Sequence, residues 1–346
     1  MTLYPLFIIF SSLAIGTTTT LLSSHWIIAW IGLEINTMAI IPLMIKRAHP
    51  RAVEAATKYF ITQATASALI LFAALLNAWL IGNWAINYNM HMCPSILVTI
   101  ALAMKLGLAP FHFWLPEVLQ GLTLPTGLLL TTWQKIAPLA ILFQLAPFIN
   151  TPLLMSLSVT SILLGGWGGI NQTQLRKILA FSSITHLGWM VSTLTLWPPL
   201  TLLNFLIYTT ITAAVFFTLI TLSTTKMTTL TTTSNKNPSL LTFTMILFLS
   251  LAGLPPLSGF LLKWLIMNEL SKQNLILFIV VILLLTLFSL FFYLRIAYMT
   301  ITSMSPHASI YSTFWYMFPK PHPSLPILTS FSIALLPATP ALCIIL

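Results

Sequence analysis

The sequence predicts an all-α polytopic membrane protein, a single membrane domain over 1–346 with about eleven transmembrane helices. Three observations predict it. The chain is 58% hydrophobic and 5% charged, where a soluble domain carries about 25% charged residues, so it cannot cover a water-facing surface. Apolar runs of the roughly 20 residues needed to cross about 30 Å of hydrocarbon recur along its whole length. Glycine and proline interrupt two of these runs beside ionisable side chains. Hydrocarbon tolerates such breaks only where protein or a water-filled cavity surrounds the freed backbone groups.

The runs fall at 2–22, 25–45, 54–82, 94–115, 122–147, 151–171, 174–195, 199–223, 239–270, 274–303 and 324–345. The first begins almost directly after Met1, with no basic segment or small-residue cleavage site before it, so a removable signal peptide is not expected. If the N-terminus starts on one side, the chain returns there near 46–53, 116–121, 172–177, 224–238 and 304–323. Those segments hold Lys46, Arg47, Arg51, Arg176, Lys177, Lys226, Lys236 and Lys320, with Lys58 close by. The opposite loops, near 83–93, 148–150, 196–198 and 271–273, hold only Lys272. This positive bias places the N-terminus on the matrix or cytoplasmic side. Trp26, Trp30, Trp79, Trp84, Trp197, Trp315 and Tyr316 lie near helix ends, as interfacial anchors do.

The breaks reveal an internal repeat. Gly107-Leu-Ala-Pro-Phe in the fourth run resembles Gly253-Leu-Pro-Pro-Leu in the ninth, and each run is the fourth of a five-helix block. The blocks, 1–150 and 151–303, are followed by a loop and a last helix over 304–346. An odd number of helices per block inverts the second copy. Inverted repeats with a broken helix in each half point to an ion site near mid-membrane. Gly107, Pro110, Gly253, Pro255 and Pro256 are the expected helix breakers, since proline lacks the amide hydrogen and glycine disfavours the helix.

Four ionisable residues fall well inside these runs: Glu34, Lys105, Lys135 and Lys263. Each costs about 2.5–3.5 kcal/mol at a helix centre on insertion scales, so a functional role is the default reading. Snorkelling to the headgroups suits Arg295 and Lys272 instead. A desolvated lysine can release and recapture a proton, and a movable carboxylate can switch it between the two states. Lysine supplies no oxygen ligand, so a lysine-lined path suits protons better than sodium. His112 and His186 can relay protons near neutral pH or simply join helices by hydrogen bonds. Glu117 is open between a capping or ion-pair role and proton uptake, and Glu54 and Glu269 read as interfacial.

Other classes are excluded. The net charge of +10 is dispersed and forms no basic stripe, so nucleic acid is not an expected partner. Cys93 and Cys343 are isolated, which leaves no iron–sulfur or metal-ligand spacing, and no histidine pair suggests haem. Gly165-Gly-Trp-Gly-Gly lacks the spacing of a dinucleotide loop and reads as close helix packing. No cofactor or metal is expected on this chain.

Four patches resemble the antiporter-like membrane subunits of respiratory complex I. They are WIGLEINTMAIIPL around Glu34; MKLGLAPFHFWLPEV with TTWQK around Lys105, His112 and Lys135; NQTQLRKILAFSSITHLGWM around His186; and LSLAGLPPLSGFLLKW around Lys263. The resemblance implies a proton-translocating subunit of the mitochondrial inner membrane, with its N-terminus in the matrix. Glu34 would pair with Lys105, Lys135 would connect the two repeats, and Lys263 would lie towards the next subunit or the exit. His112 and His186 would carry a hydrated polar axis. NADH, FMN, iron–sulfur clusters and ubiquinone would sit on other subunits. Implied partners are other membrane-arm subunits, including a neighbouring antiporter-like chain (chain 4), a small membrane chain (chain 4L), and anionic lipid such as cardiolipin at the clusters near Lys46 and Arg176.

Two departures from that family stand out. The fuller family has fourteen helices, of which this chain is expected to lack the first three. Gln174 also replaces an acidic residue before Arg176-Lys177. A free-standing cation/proton antiporter and a structural spacer with relict charges are the alternative readings.

Overall fold

The computed structural model describes residues 3–46, 49–233, 238–255, 257–302 and 324–334. Arg47, Lys236, Pro256, Trp315, Tyr316, Lys320 and Cys343, the loop 304–323 and the end of the last apolar run lie outside them. Regular structure among the described residues is helical, and two isolated antiparallel bridges supply the extended pairs. The chain divides into two compact units, Met1–Ser161 and Ile162–Leu346.

The first unit holds α1 (Leu3–Leu21), α2 (Trp26–Met44), α3 (Pro50–Ile81), α4 (Met92–Leu106), α5 (Trp114–Gly121), α6 (Leu124–Thr131) and α7 (Ile136–Leu145). The boundary between units falls inside α8 (Thr151–Ile170). The second unit continues with α9 (Leu175–Thr193), α10 (Pro198–Thr221), α11 (Met227–Thr232), α12 (Pro238–Ala252), α13 (Ser258–Lys272), α14 (Ile276–Thr302) and α15 (Ser324–Ala334). Seven described helices are long and apolar enough to cross a membrane: α1, α2, α3, the run Leu124–Phe148, α8, α10 and α14. The broken fourth and ninth crossings contribute the shorter apolar helices Met92–Leu106 and Ser239–Ala252. α9 is less apolar because every residue from Ile178 to Thr193 is buried, so its serines and threonines face protein and not lipid.

Both expected breaks occur, and by one device. In the fourth crossing Gly107 takes a left-handed φ of 76°, its N–H bonds Met104 O at 3.2 Å, and the Leu108 N–H reaches back to Ala103 O at 2.9 Å. In the ninth, Gly253 has φ 78°, its N–H bonds Ser250 O at 3.0 Å, and Leu254 N–H reaches Leu249 O at 3.3 Å. This paired closure of the last carbonyls requires a left-handed residue, which glycine adopts without steric penalty. The chain then resumes as α5 after the first break, so 116–121 is helical where a loop is expected. A third interruption was not expected. The fifth crossing stops at Thr131, passes through a 3-10 turn over Trp133–Lys135, and restarts as α7. Pro138 has no N–H to return to Gln134 O, which removes the bond that would carry the helix across.

Loops expected on a common face are physically joined within each unit. Trp26 N–H bonds Trp84 O at 3.1 Å and Ile86 N–H bonds Ser24 O at 2.9 Å, tying the α1–α2 and α3–α4 loops. On the basic side, Leu175 N–H bonds Thr225 O and Met227 N–H bonds Thr173 O, each at 3.1 Å. Also on that side, Lys58 Nζ reaches Glu54 at 2.6 Å and Glu117 at 2.8 Å, joining α3 to α5. Helices α1 and α2 approach to backbone contact, since a Cβ on Gly16 would lie 3.1 Å from Gly32 O.

Candidate functional site

The site of the first unit is assembled at its two interruptions. Lys105 lies in the last turn of α4, where the helix dipole favours a cation. It is 5% exposed, and its Nζ is buried with no hydrogen-bond partner among the described residues. Lys135 closes the 3-10 turn of the fifth crossing and is 3% exposed. Both lysines line one cavity of about 20 Å³, together with Asn36 and Thr37 of α2, Tyr59 and Gln63 of α3, and Gln134. A cavity needs roughly 10–15 Å³ to hold a water, so this one takes about one, among groups able to bond it. Gln134 Nε2 donates to Asn36 O at 3.2 Å, and Gln63 Nε2 donates to Lys105 O at 3.5 Å. These amides hold α2, α3 and the two interruptions in register around the lysines.

Glu34 does not line that cavity. It sits half-buried in an open groove of about 520 Å³ between α1 and α2. Its carboxylate and Lys105 are not within ion-pair distance among the described residues, so the direct pairing implied by the family resemblance is absent here. Thr37 touches both Glu34 and the lysine cavity. Its Oγ1 donates to Glu34 Oε2 at 3.2 Å, while the same residue lines the lysine cavity. The carboxylate remains in electrostatic reach of Lys105 and Tyr59. His112, 5% exposed, lies on the irregular segment after Gly107 with its ring stacked on Phe113 at 4.5 Å, outside the cavity wall. Glu117 is exposed and held by Lys58, which gives it the local ion-pair role.

In the second unit Lys263 lies on α13, just past the Gly253 break. Its Nζ donates to Ala252 O at 2.6 Å, the last residue of α12. The lysine thus caps a carbonyl left open by the break, and its stem fills the space above Gly253, where a Cβ would lie 2.9 Å from Cε. His186 of α9 is 8% exposed, with its ring 5.2 Å from that of the buried Tyr208. Arg295 Nη1 donates to Ile170 O at 2.6 Å, at the end of α8. Pro110 and Pro255 lie in the two irregular segments as expected.

The buried amides Asn36 and Gln63 and the half-buried Gln134, with Thr37 and Tyr59, carry no formal charge and so are not marked by an analysis of ionisable residues. Their signal was present: three carboxamides inside runs otherwise apolar. Among the described residues no cluster of three or more His, Cys, Asp or Glu could hold a metal.

Broken helices carrying buried lysines beside a small cavity with polar groups in its wall define a polytopic membrane protein of the transport type. Residues 23–289 match the family described as NADH:quinone oxidoreductase/Mrp antiporter, TM, and residues 290–343 match NADH dehydrogenase subunit 2 C-terminus. The chain is 55% identical to NADH-ubiquinone oxidoreductase chain 2 of Aquarana catesbeiana, over 96% of this chain and 97% of that one. With the same protein of Squalus acanthias it shares 54% identity over 97% of each. A chain of respiratory complex I from Thermus thermophilus, solved with bound aureothin, superposes with a TM-score of 0.84 at 26% identity, covering 97% of this chain and 77% of that one. A chain of the Mrp complex from Dietzia sp. DQ12-45-1b shares the fold, with a TM-score of 0.72 at 20% identity, over 81% of this chain and 57% of that one. The chain belongs to the NADH-ubiquinone oxidoreductase chain 2 family of complex I membrane subunits.

Proposed function

We propose that this subunit translocates protons through the lysine cavity of its first unit, driven by NADH:ubiquinone oxidoreduction on other subunits. The observation that carries the reading is the meeting of Lys105 and Lys135, from two separate helix interruptions, on one small cavity that also has carboxamide and hydroxyl groups in its wall. Burying two ammonium groups together opposes folding unless they are paired, hydrated or deprotonated, and nothing in a passive anchor requires it. One water among Asn36, Gln63, Gln134 and the lysines would complete a proton-conducting contact. Moving each charge against the membrane potential takes about 2.3 kcal/mol per 100 mV, which the redox chemistry elsewhere in the complex must supply.

In this reading Glu34 biases Lys105 through Thr37, and Lys135 carries the proton onward from the cavity it shares with Lys105. Lys263 then serves the exit or the next subunit, with His112 and His186 on the polar axis. NADH, FMN, iron–sulfur clusters and ubiquinone belong to other subunits. The apolar outer faces of α1 and α14, 28% buried each within the chain, suit neighbouring membrane subunits such as chains 4 and 4L. The basic loops at Lys46 and Arg176 suit anionic lipid such as cardiolipin. The subunit resides in the mitochondrial inner membrane with its N-terminus in the matrix. Proton pumping per NADH oxidised, in reconstituted complex carrying Lys105→Met, tests the proposal. Pumping should fall with assembly intact, and a wild-type ratio would overturn it.

A further inference from the structure

In each unit one side chain crosses the glycine break and closes it. In the second unit that side chain is Lys263, whose stem lies over Gly253 and whose Nζ donates to Ala252 O. In the first unit it is Trp114, the opening residue of α5. Its Nε1–H donates to Met104 O at 3.1 Å, back across the break into the last turn of α4. A Cβ on Gly107 would lie 3.4 Å from Trp114 Cζ2, so the indole also covers the left-handed glycine. The tryptophan is 8% exposed and meets the Tyr59 ring edge-on, with centroids 5.7 Å apart. Both aromatic residues line the cavity of Lys105 and Lys135.

We propose, on the reading that protons pass through the lysine cavity, that Trp114 is a positioning residue for their translocation. Its indole clasps the end of α4 and so leaves the Lys105 ammonium uncommitted beside the cavity. A backbone carbonyl has two lone pairs. Met104 O receives the Gly107 N–H at 3.2 Å and the Trp114 Nε1–H, so both are taken. Lys105 O takes Gln63 Nε2 at 3.5 Å, and Ala103 O takes the Leu108 N–H at 2.9 Å. Neutral donors thus serve these carbonyls of the last turn, and Lys105 Nζ bonds none of them. In the second unit the ammonium itself does this work, since Lys263 Nζ sits on Ala252 O. Indole suits the task in the first unit because its N–H is a donor only and does not titrate. It therefore holds the break alike whether the lysine carries its proton or has released it.

The test compares reconstituted complex as wild type, Trp114→Phe and Lys105→Met, with assembly matched and pumping measured across pH. Phenylalanine keeps an aromatic ring beside Gly107 and Tyr59 but removes the N–H, which frees a lone pair of Met104 O for the Lys105 ammonium. The pumping rate should fall about fivefold in Trp114→Phe, the factor for one neutral hydrogen bond. The pH at which pumping halves should also move, because an ammonium bonded to Met104 O titrates differently from one left uncommitted. The other ionisable groups in reach of it are Lys135, Tyr59 and Glu34. A clasp that served stability alone would leave that pH where it was. Wild-type pumping in Trp114→Phe beside an impaired Lys105→Met, or a slower rate with the pH profile unmoved, overturns this proposal alone. Wild-type pumping in Lys105→Met overturns the lysine-cavity reading and the proposal with it. If Trp114→Phe fails to assemble, a map of the wild-type complex decides. Trp114 Nε1 should lie on Met104 O with Lys105 Nζ off the helix-end carbonyls, and Lys105 Nζ on one of those carbonyls, or Trp114 bonded elsewhere, overturns it.

Discussion

Thr37→Val tests the indirect link between Glu34 and the lysine cavity. Valine matches threonine in shape, so the wall of the cavity at this 7% exposed position is kept and only the hydroxyl is lost. That hydroxyl makes two bonds, to Glu34 Oε2 at 3.2 Å and to Glu34 O one turn back at 2.9 Å. A hydrogen bond to a charged group contributes about 1.5–3 kcal/mol. This one is long, shared with the backbone carbonyl, and placed at a half-buried carboxylate, so about 1 kcal/mol is the reasonable share. If the proton step depends on it, its rate falls roughly fivefold. The assay is proton pumping and NADH oxidation in reconstituted complex for Thr37→Val, Glu34→Gln and the double variant. In a double-mutant cycle the second substitution should add little to the first, and Thr37→Ser should restore most of the rate. Fully additive losses, or wild-type pumping in Thr37→Val, would refute the route through Thr37.

Pro138→Ala restores an N–H opposite Gln134 O and should heal the interruption at Lys135. The complex should assemble and resist heat at least as well as wild type, yet pump fewer protons per NADH. Gly107→Ala and Gly253→Ala force a side chain into the left-handed region, at about 1–2 kcal/mol each, and should lower the temperature at which the assembled complex inactivates. Lys263→Met leaves Ala252 O without its donor, a loss of about 1–3 kcal/mol for a buried carbonyl. It should show as faster dissociation of the complex in detergent as well as reduced pumping. Lys58→Met removes only exposed ion pairs, which contribute little, so assembly and pumping should match wild type.

The sequence made the membrane class, the runs and two of the three breaks legible because each rests on local chemistry. Apolar length, a glycine able to turn left-handed and a proline without a donor all act within a few residues. The third break was as local as the others, since Pro138 sits where an N–H is needed. It was passed over because no glycine marks it. What no local rule supplies is convergence. That Lys105 and Lys135 share a wall while Glu34, on the same α2 as Asn36 and Thr37, faces a different opening depends on the rotation of α2 against α1 and α3. That rotation is set by contacts such as Gly16 on Gly32, far apart in sequence. Reading charge alone also hid the carboxamides, which in a low-dielectric interior do much of the positioning.

The two glycine breaks share a backbone closure but carry different loads. Lys105 lies on the near side of its break, on the helix that ends there; it lines the cavity, and its buried Nζ has no hydrogen-bond partner among the described residues. Lys263 lies on the far side, reaches back across its break, and spends its Nζ on Ala252 O at 2.6 Å. An ammonium bonded to a helix-end carbonyl is fixed in place by that bond. One lining a small cavity, with no hydrogen-bond partner among the described residues and a carboxylate in electrostatic reach, is not fixed in this way. The two repeats therefore share the backbone break and differ in what the lysine beside it touches. Substituting Thr37, Asn36 or Gln134 should accordingly disturb pumping at constant assembly, whereas substituting Lys263 should disturb both together.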